Sequence, residues 1–188
     1  MTGWYNELSK VLETRRVDVC AVQETRWSGS KSHDIVCGYK LMYKGTRGTD
    51  SGVGIIVLSK FDGNISEVQR YDGHLMKIVY ITDGREIHFF SAYAPQTGQA
   101  TSIKDAFWGM LDVKTVEVPP EDYIIIAGNL NGHVACRKEE HTTHGGHGFG
   151  EKNDDGQGIL DFSEAHKLAI ANAWFFAYYS GTNAKQID

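Results

Sequence analysis

Three strand-like segments of this sequence end in polar residues that could do chemistry. These residues are Gln23 with Glu24, Tyr93, and Asn129 with Asn131. In α/β sheets, ligands bind beyond the carboxyl ends of the strands. A carboxylate there can bind a hard cation, and hydroxyl and carboxamide groups can form hydrogen bonds with a substrate. Taken singly, each has an ordinary structural explanation, since a Glu after a strand is usually a surface residue and Asn-x-Asn-Gly is usually a turn.

The hydrophobic pattern predicts the elements that would position these side chains. Trp4, Leu8, Val11 and Leu12 share one face of a helix running to about Arg16. Further helices are predicted at 100–113 and 159–168, and a long polar loop at 132–158. Strands are predicted at 17–22, 39–43, 53–58, 65–71, 75–82, 86–93, 123–127 and 169–174.

The order of these elements favours an α/β sandwich of mixed sheets. Asp83-Gly84 gives the signal of a tight hairpin between two of the strands. The length of 188 residues predicts one domain, 1–188, because single cores typically serve ~100–200 residues.

Composition excludes several classes of protein. With 41% hydrophobic and 23% charged residues, the chain is neither disordered nor collagen-like. No apolar run approaches the ~20 residues that span a bilayer, and no signal peptide is visible. Three cysteines without a Cys-x-x-Cys pair argue against a disulfide framework. We therefore expect an intracellular protein, nuclear or cytoplasmic and not secreted, with no membrane partner and a monomer as the default.

Charge is unevenly distributed along the chain. The net charge is −5, but residues 10–47 hold eight Lys/Arg against four acids. A basic face there could contact nucleic-acid phosphates, and an ordinary solvated surface explains the same pattern.

Other motifs for catalysis or metal binding are weak. The spacing His141-x-x-His144-x-x-His147 could bind Zn²⁺ adventitiously, although the surrounding glycines favour a loop without a built site. No phosphate-binding Gly-rich loop and no Gly-x-Ser-x-Gly elbow occurs. The sequence therefore supports neither nucleotide hydrolysis nor a serine hydrolase.

Three segments taken together carry a specific resemblance. They read Val-Gln-Glu-Thr-Arg-Trp (22–27), Ser-Ala-Tyr-Ala-Pro (91–95) and Ile-Ala-Gly-Asn-Leu-Asn-Gly-His (126–133). In this order they resemble the exonuclease–endonuclease–phosphatase superfamily, in the variant found as the apurinic-endonuclease-like domain of non-LTR retrotransposons. Within it, they resemble the retroelement-derived group called craniofacial development protein 2-like. The resemblance covers essentially the whole chain.

The resemblance implies a fold, a reaction and a set of site residues. The fold is a sandwich of two facing mixed β-sheets flanked by helices, with the site at one edge. The reaction is DNA nicking by phosphodiester hydrolysis with Mg²⁺ or Mn²⁺. Glu24 matches the metal-binding carboxylate, and Tyr93 matches the tyrosine that contacts the phosphate or leaving group. Asn131 matches a phosphate-binding Asn, and Asp188 an Asp that orients a downstream His.

The chain departs from this pattern at several positions. Asn129 stands where the superfamily has its water-activating Asp. The resemblance begins after the superfamily's first strand, which carries an Asn near the metal, and it stops at Asp188, before the downstream His. We therefore expect a domain that is truncated at both ends and lacks the first and last strands. Severely impaired catalysis is expected with it.

Two alternatives remain open at this point. The chain could be a non-catalytic domain that binds nucleic acid or protein, or a phosphoesterase acting on small phosphorylated substrates. The retroelement-like contexts of Glu24 and Asn129 disfavour the second.

Overall fold

A computed structural model describes residues 4–46, 51–135, 142–148 and 150–174. Its helices are α1 (Trp4–Thr14), α2 (Thr101–Val116) and α3 (Asp154–Ala165). Its strands are β1 (Val19–Gln23), β2 (Gly29–Ile35), β3 (Tyr39–Gly45), β4 (Val53–Leu58), β5 (Ile65–Arg70), β6 (Leu75–Thr82), β7 (Arg85–Tyr93) and β8 (Tyr123–Asn129). Short 3₁₀ turns lie at Val36–Gly38, Ser59–Asn64 and Ala171–Ala173.

The strands form two four-stranded sheets, which confirms the predicted α/β sandwich. The first sheet has the order β1-β4-β3-β2 and the second the order β5-β6-β7-β8. All described pairs of the first sheet are antiparallel. In the second sheet, the parallel pairing of β7 with β8 makes the sheet mixed. Asp83 and Gly84 join β6 to β7 as a tight hairpin, both with positive φ, as their sequence predicts.

The main core fills the space between the two sheets. Alternate side chains of β3 and β4 pack against alternate side chains of β6 and β7, in keeping with the two-residue period of a strand. The buried members of this cluster are Met42, Val53, Ile55, Val57, Met76, Ile78, Phe89 and Tyr93. Tyr93 thus belongs to the core by its ring, although its hydroxyl reaches the edge of the sandwich.

The outer face of the first sheet is covered by α1. Leu8 and Leu12 of the helix pack with Val22, Leu41 and Ile56 of the sheet. The apolar face read from the sequence is therefore the face that packs, although Trp4 and Val11 remain largely exposed. Because β1 and α1 are held by this second cluster, the residues that follow β1 leave the sheet from a fixed position.

The chain divides into two compact units, Met1–Leu130 and Asn131–Asp188. The first contains both sheets with α1 and α2, and the second contains α3. In the second unit, α3 begins at Asp154, within the segment predicted as a loop, because the Asn153 side chain accepts a hydrogen bond from the Gly156 amide and caps the helix.

One predicted strand of the second unit is wrong. Residues 171–173 form a 3₁₀ turn, and no strand is found in the described part of 169–174. The Ile170 amide and the Trp174 indole both donate to the carbonyl of Thr143, so this segment is held by a loop and not by a sheet.

The His-rich segment is only partly described. His141 lies outside the described residues. His144 is 1% exposed, and its Nδ1 accepts from the Gly146 amide while its Nε2 bonds to the Ala135 carbonyl. Both ring nitrogens are therefore engaged in holding the loop, which argues against the adventitious zinc site.

None of the described helices combines the length and apolar character needed to cross a membrane. Of the three cysteines, Cys20 and Cys37 are free thiols, and burial raises the pKa of Cys20, so this thiol stays protonated at neutral pH.

Candidate active site

Residues from both sheets meet at one end of the sandwich. Glu24 directly follows β1, and Tyr93 is the last residue of β7. The Tyr93 hydroxyl donates a hydrogen bond of 2.8 Å to Oε1 of Glu24. Asn129, the last residue of β8, lies opposite Tyr93 in the parallel register. The structure therefore brings Glu24 and Tyr93 into contact and places the end of β8 beside them.

The backbone of Glu24 has the left-handed conformation, with φ of +53°. This conformation is uncommon outside glycine and turns the chain sharply. The next residue is anchored, because the Thr25 amide donates to the Gly52 carbonyl at 3.3 Å and Thr25 is buried. The Glu24 side chain remains 45% exposed, so it is accessible to an ion or a substrate.

Arg26 is the cation nearest to this carboxylate in the described contacts. Its guanidinium lies 3.9 Å from Oε2 of Glu24, and its own side chain is 65% exposed. An ion pair this exposed contributes little to stability. Its effect on the site is electrostatic, since it adds positive charge beside the Glu24 carboxylate.

His74 contacts Tyr93 through its backbone and through its ring, and the sequence analysis did not identify it as a site residue. The Tyr93 amide donates to the His74 carbonyl at 2.8 Å. His74 Nδ1 lies 2.7 Å from the Tyr93 carbonyl, so this nitrogen carries the proton. The two rings are stacked with centroids 5.6 Å apart. His74 therefore fixes the direction in which the Tyr93 hydroxyl points.

The environment of Tyr93 keeps its hydroxyl protonated. Burial raises the pKa of Tyr93, and the hydrogen bond to the Glu24 carboxylate raises it further, while Gln96 and Arg26 act in the opposite direction. At neutral pH the phenol is therefore a hydrogen-bond donor and not a base. It can orient a carboxylate or donate to a phosphate oxygen.

A buried polar bridge joins the two sheets next to the site. Gln23 Nε2 donates to Oγ of Ser91 at 3.3 Å, and Ser91, fully buried, lies 3.5 Å from the Val22 carbonyl. Because buried polar groups are costly unless they are paired, this bridge favours one relative position of β1 and β7.

The end of β8 depends on a glycine. Gly128 has φ of +143°, and a Cβ atom there would lie 1.9 Å from the Ala92 carbonyl oxygen. The Asn129 carbonyl then accepts a hydrogen bond of 2.9 Å from the Ala94 amide. Only glycine allows this close approach, so the Gly-Asn pair sets where the Asn129 side chain, which is exposed, leaves the strand.

The other two predicted site residues, Asn131 and Asp188, do not belong to the unit that contains Glu24 and Tyr93. Asn131 is the first residue of the second unit, half-buried, with φ of +50°. Asp188 lies outside the described residues. Their roles remain predictions.

The donor set at Glu24 fits a magnesium-type ion held weakly by the protein. Among the described residues, no group of three His, Cys, Asp or Glu side chains surrounds Glu24. Mg²⁺ is commonly held by one or two carboxylates, with water and substrate phosphates completing its shell. A single half-exposed carboxylate is consistent with that mode and not with a dedicated protein cage.

A different cluster, Glu86, His88 and Asp122, has the residue types of a metal site but lies at the opposite end of β7. His88 Nε2 is 3.3 Å from Asp122 and its Nδ1 is 3.4 Å from Nζ of Lys77. A lysine ammonium can only donate, so Nδ1 accepts from Lys77 and the protonated Nε2 donates to Asp122. This tautomer leaves no lone pair for a metal.

No model of a protein family and no curated protein matches this sequence. Solved structures do match. The endonuclease domain of TRAS1, a telomere-specific non-LTR retrotransposon, aligns with a TM-score of 0.57 and 16% identity, over 88% of this chain and 67% of that one. The AP endonuclease LMAP from Leishmania major aligns with a TM-score of 0.56 and 13% identity, over 87% of this chain and 61% of that one.

The chain shares its fold with these two endonucleases. This agrees with the resemblance read from the three sequence segments, although the low identities extend the agreement to the fold alone. The chain spans about 61% of the length of the Leishmania enzyme that it matches. Both similar structures are described as endonucleases, which supports an endonuclease-like fold here.

An open pocket lies beside Tyr93, and Glu24 is not among its lining residues. Its volume is about 410 Å³, within the ~300–1,000 Å³ range of ligand pockets. His74, Tyr93 and Gln96 line it, together with Ile103 of α2.

Proposed function

We propose that this chain is a retrotransposon-derived endonuclease domain, of the craniofacial development protein 2-like group, whose turnover is strongly reduced. Its ancestral reaction is divalent-metal-dependent nicking of DNA, inside the nucleus or cytoplasm. The observation that carries the proposal is the 2.8 Å hydrogen bond from Tyr93 to Glu24 at the sheet ends, with Asn129 in register opposite Tyr93.

Glu24 is the residue that would hold Mg²⁺ or Mn²⁺. When bound, such an ion neutralises phosphate charge and makes a nearby water more acidic. Tyr93 donates to Oε1 of Glu24 and so restricts the carboxylate to one orientation. Arg26, on the Oε2 side, adds a positive charge that attracts the DNA backbone. These residues support binding and alignment of a phosphodiester.

Asn129 is the reason that we expect little turnover. Its carboxamide has nearly the shape of a carboxylate, so it can still hydrogen-bond to a water at the end of β8. It cannot accept a proton from that water. Loss of a positioned general base typically costs ~10²–10⁴ in rate.

Two further roles rest on the resemblance alone. Asn131 is assigned to contact the phosphate oxygens, and Asp188 to orient a histidine.

The test is single-turnover nicking of supercoiled plasmid in Mg²⁺ and in EDTA, with wild type, Glu24→Ala and Asn129→Asp. We expect barely detectable nicking by wild type and a rate at least ~10²-fold higher for Asn129→Asp, because the substitution restores a proton acceptor. The gain must disappear in EDTA and in the Glu24→Ala/Asn129→Asp double variant. Asn172→Asp, at an exposed position of the 3₁₀ turn Ala171–Ala173, is the control for added charge alone.

Two results would overturn parts of the proposal. If wild type nicks as fast as Asn129→Asp, and if that nicking requires Glu24 and Mg²⁺, then the proposed impairment of turnover is wrong. Asn129→Asp that is folded and no faster than wild type contradicts the expectation that this residue limits turnover, and salt-dependent DNA binding by that protein would favour the non-catalytic binding domain.

A further inference from the structure

A second pocket, of about 440 Å³, lies on the outer side of the first sheet. Its walls are four rings, those of Tyr5 at the start of α1, Trp27 after β1, His33 of β2 and Tyr43 of β3. The remaining side of the pocket is lined by Arg26 and Lys31. Aromatic rings with cations between them are the composition of single-stranded nucleic-acid binding surfaces.

The rings are held by one another. Trp27 stacks on Trp4 with centroids 5.4 Å apart and an interplanar angle of 24°. Tyr43, 7% exposed, is in edge-to-face contact with Trp27, with centroids 4.8 Å apart. Tyr5 and His33 are in edge-to-face contact, with centroids 6.0 Å apart and an interplanar angle of 75°. Tyr43 is thus a packing residue, Tyr5 and Trp27 are half-buried, and His33 is exposed.

The charge of the pocket suits a polyanion. Arg26 and Lys31 are both exposed, and none of the described residues that line the pocket is acidic. With cations beside aromatic rings, one nucleotide can place its phosphate near Arg26 and Lys31 and its base against the rings. An acidic peptide would use the cations but would leave the rings exposed.

Arg26 connects this pocket to the candidate active site. It lines the pocket, and its guanidinium lies 3.9 Å from Oε2 of Glu24. Trp27 follows Glu24 by three residues, at the sheet end where β1 and β3 finish and β4 begins. A strand whose phosphate lies at Glu24 therefore passes over Arg26 before it reaches the rings.

We propose that this pocket binds an unpaired nucleobase of the DNA strand that crosses Glu24, stacked against Tyr5 and His33, with Arg26 and Lys31 on its phosphates. The position of the base next to the scissile phosphate rests on the proposed function. The domain thereby prefers DNA with unpaired bases over a fully paired duplex. The pocket itself acts by binding and requires no metal.

The test is fluorescence-anisotropy binding in EDTA with a labelled single-stranded 15-mer, the same 15-mer as a blunt duplex, and a 15-mer with consecutive abasic sites at its centre. We expect wild type to bind the intact single strand most tightly. Tyr5→Leu keeps the apolar packing and removes the stacking ring, and should weaken that binding at least about 5-fold with little effect on the other two probes. His33→Ala, at an exposed position, gives the same answer if Tyr5→Leu does not fold.

Lys31→Ala separates charge from stacking. It should weaken all three probes to a similar degree and reduce the salt dependence by about one phosphate contact. Lys60→Ala removes a cation at the other end of β4 and serves as its control, with no change expected.

The inference is overturned if both ring variants bind the intact strand like wild type, or if the abasic strand binds as tightly as the intact one. Failure of the proposed function has a different signature, because the binding difference in EDTA would persist while Asn129→Asp fails to nick.

Discussion

The hydrogen bond between Tyr93 and Glu24 can be tested as an energy. Tyr93→Phe removes the hydroxyl and keeps the ring stacked on His74, and Glu24→Ala removes the acceptor. Hydrogen bonds to a charged group contribute about 1.5–3 kcal/mol. The Glu24 side chain is 45% exposed, so water replaces part of the lost bond. We therefore expect a coupling free energy of about 1 kcal/mol.

The assay is urea unfolding of wild type, the two single variants and the double variant, followed by fluorescence and circular dichroism. Tyr80→Phe combined with Glu24→Ala is the control pair, since Tyr80 lines a pocket with Asp18 and Phe61 and has no described bond to Glu24. Its coupling should be near zero. A Tyr93–Glu24 coupling below about 0.3 kcal/mol would mean that the two groups do not interact in solution, and the site geometry argued from them would be refuted.

Two further predictions concern elements that support the site. Burial, with the charges of Glu117 and Glu67, raises the pKa of Tyr71 to about 12 from 10.0. The folded state therefore gains stability from this group that is complete below pH 10 and is lost as the pH rises toward 12. Urea unfolding between pH 10 and 12 should show a smaller loss of unfolding free energy for Tyr71→Phe than for wild type. The same dependence of unfolding free energy on pH in both proteins would contradict this. Gly128→Ala should cost at least about 2 kcal/mol, because of the clash and the φ of +143°. Gly109→Ala, in α2 with open space at its Cβ, should instead stabilise the folded protein by up to about 1 kcal/mol. An equal change of the melting temperature in both variants would refute the argument.

The elements with a strong apolar pattern were predictable from the sequence. β4 and β6 have the predicted bounds, and β7 begins one residue earlier than predicted. These strands supply the buried core residues, so their sequences are rich in apolar residues and can be recognised as strands.

Elements without such a pattern were missed. β2 reads Gly-Ser-Lys-Ser-His-Asp-Ile and is exposed over nearly its whole length. It is an edge strand held by its backbone pairing with β3, and that pairing leaves no hydrophobic signal. The start of α3 was missed for a different reason, because Asn153-Asp154-Asp155 is a capping signal that the surrounding glycines obscured.

The site was predictable only in part. Glu24, Tyr93 and Asn129 stand at strand ends and belong to recognisable segments. His74 has no such context. It becomes the neighbour of Tyr93 only through the antiparallel register that pairs Leu75 with Ala92. The aromatic pocket was also invisible, since its rings come from four separate segments of the chain.

The side of β8 that faces away from β7 has a practical consequence for every measurement described above. The strand reads Tyr-Ile-Ile-Ile-Ala-Gly-Asn, without a charge or a proline, and within the described residues it pairs with β7 alone. Tyr123 and Ile125 are 50% and 44% exposed beside it. Uncharged strand edges of this kind template the addition of further strands from other molecules. Self-association should therefore increase with protein concentration and reduce the amount of monomer that is available to bind DNA. Binding and nicking are accordingly best measured with dilute protein.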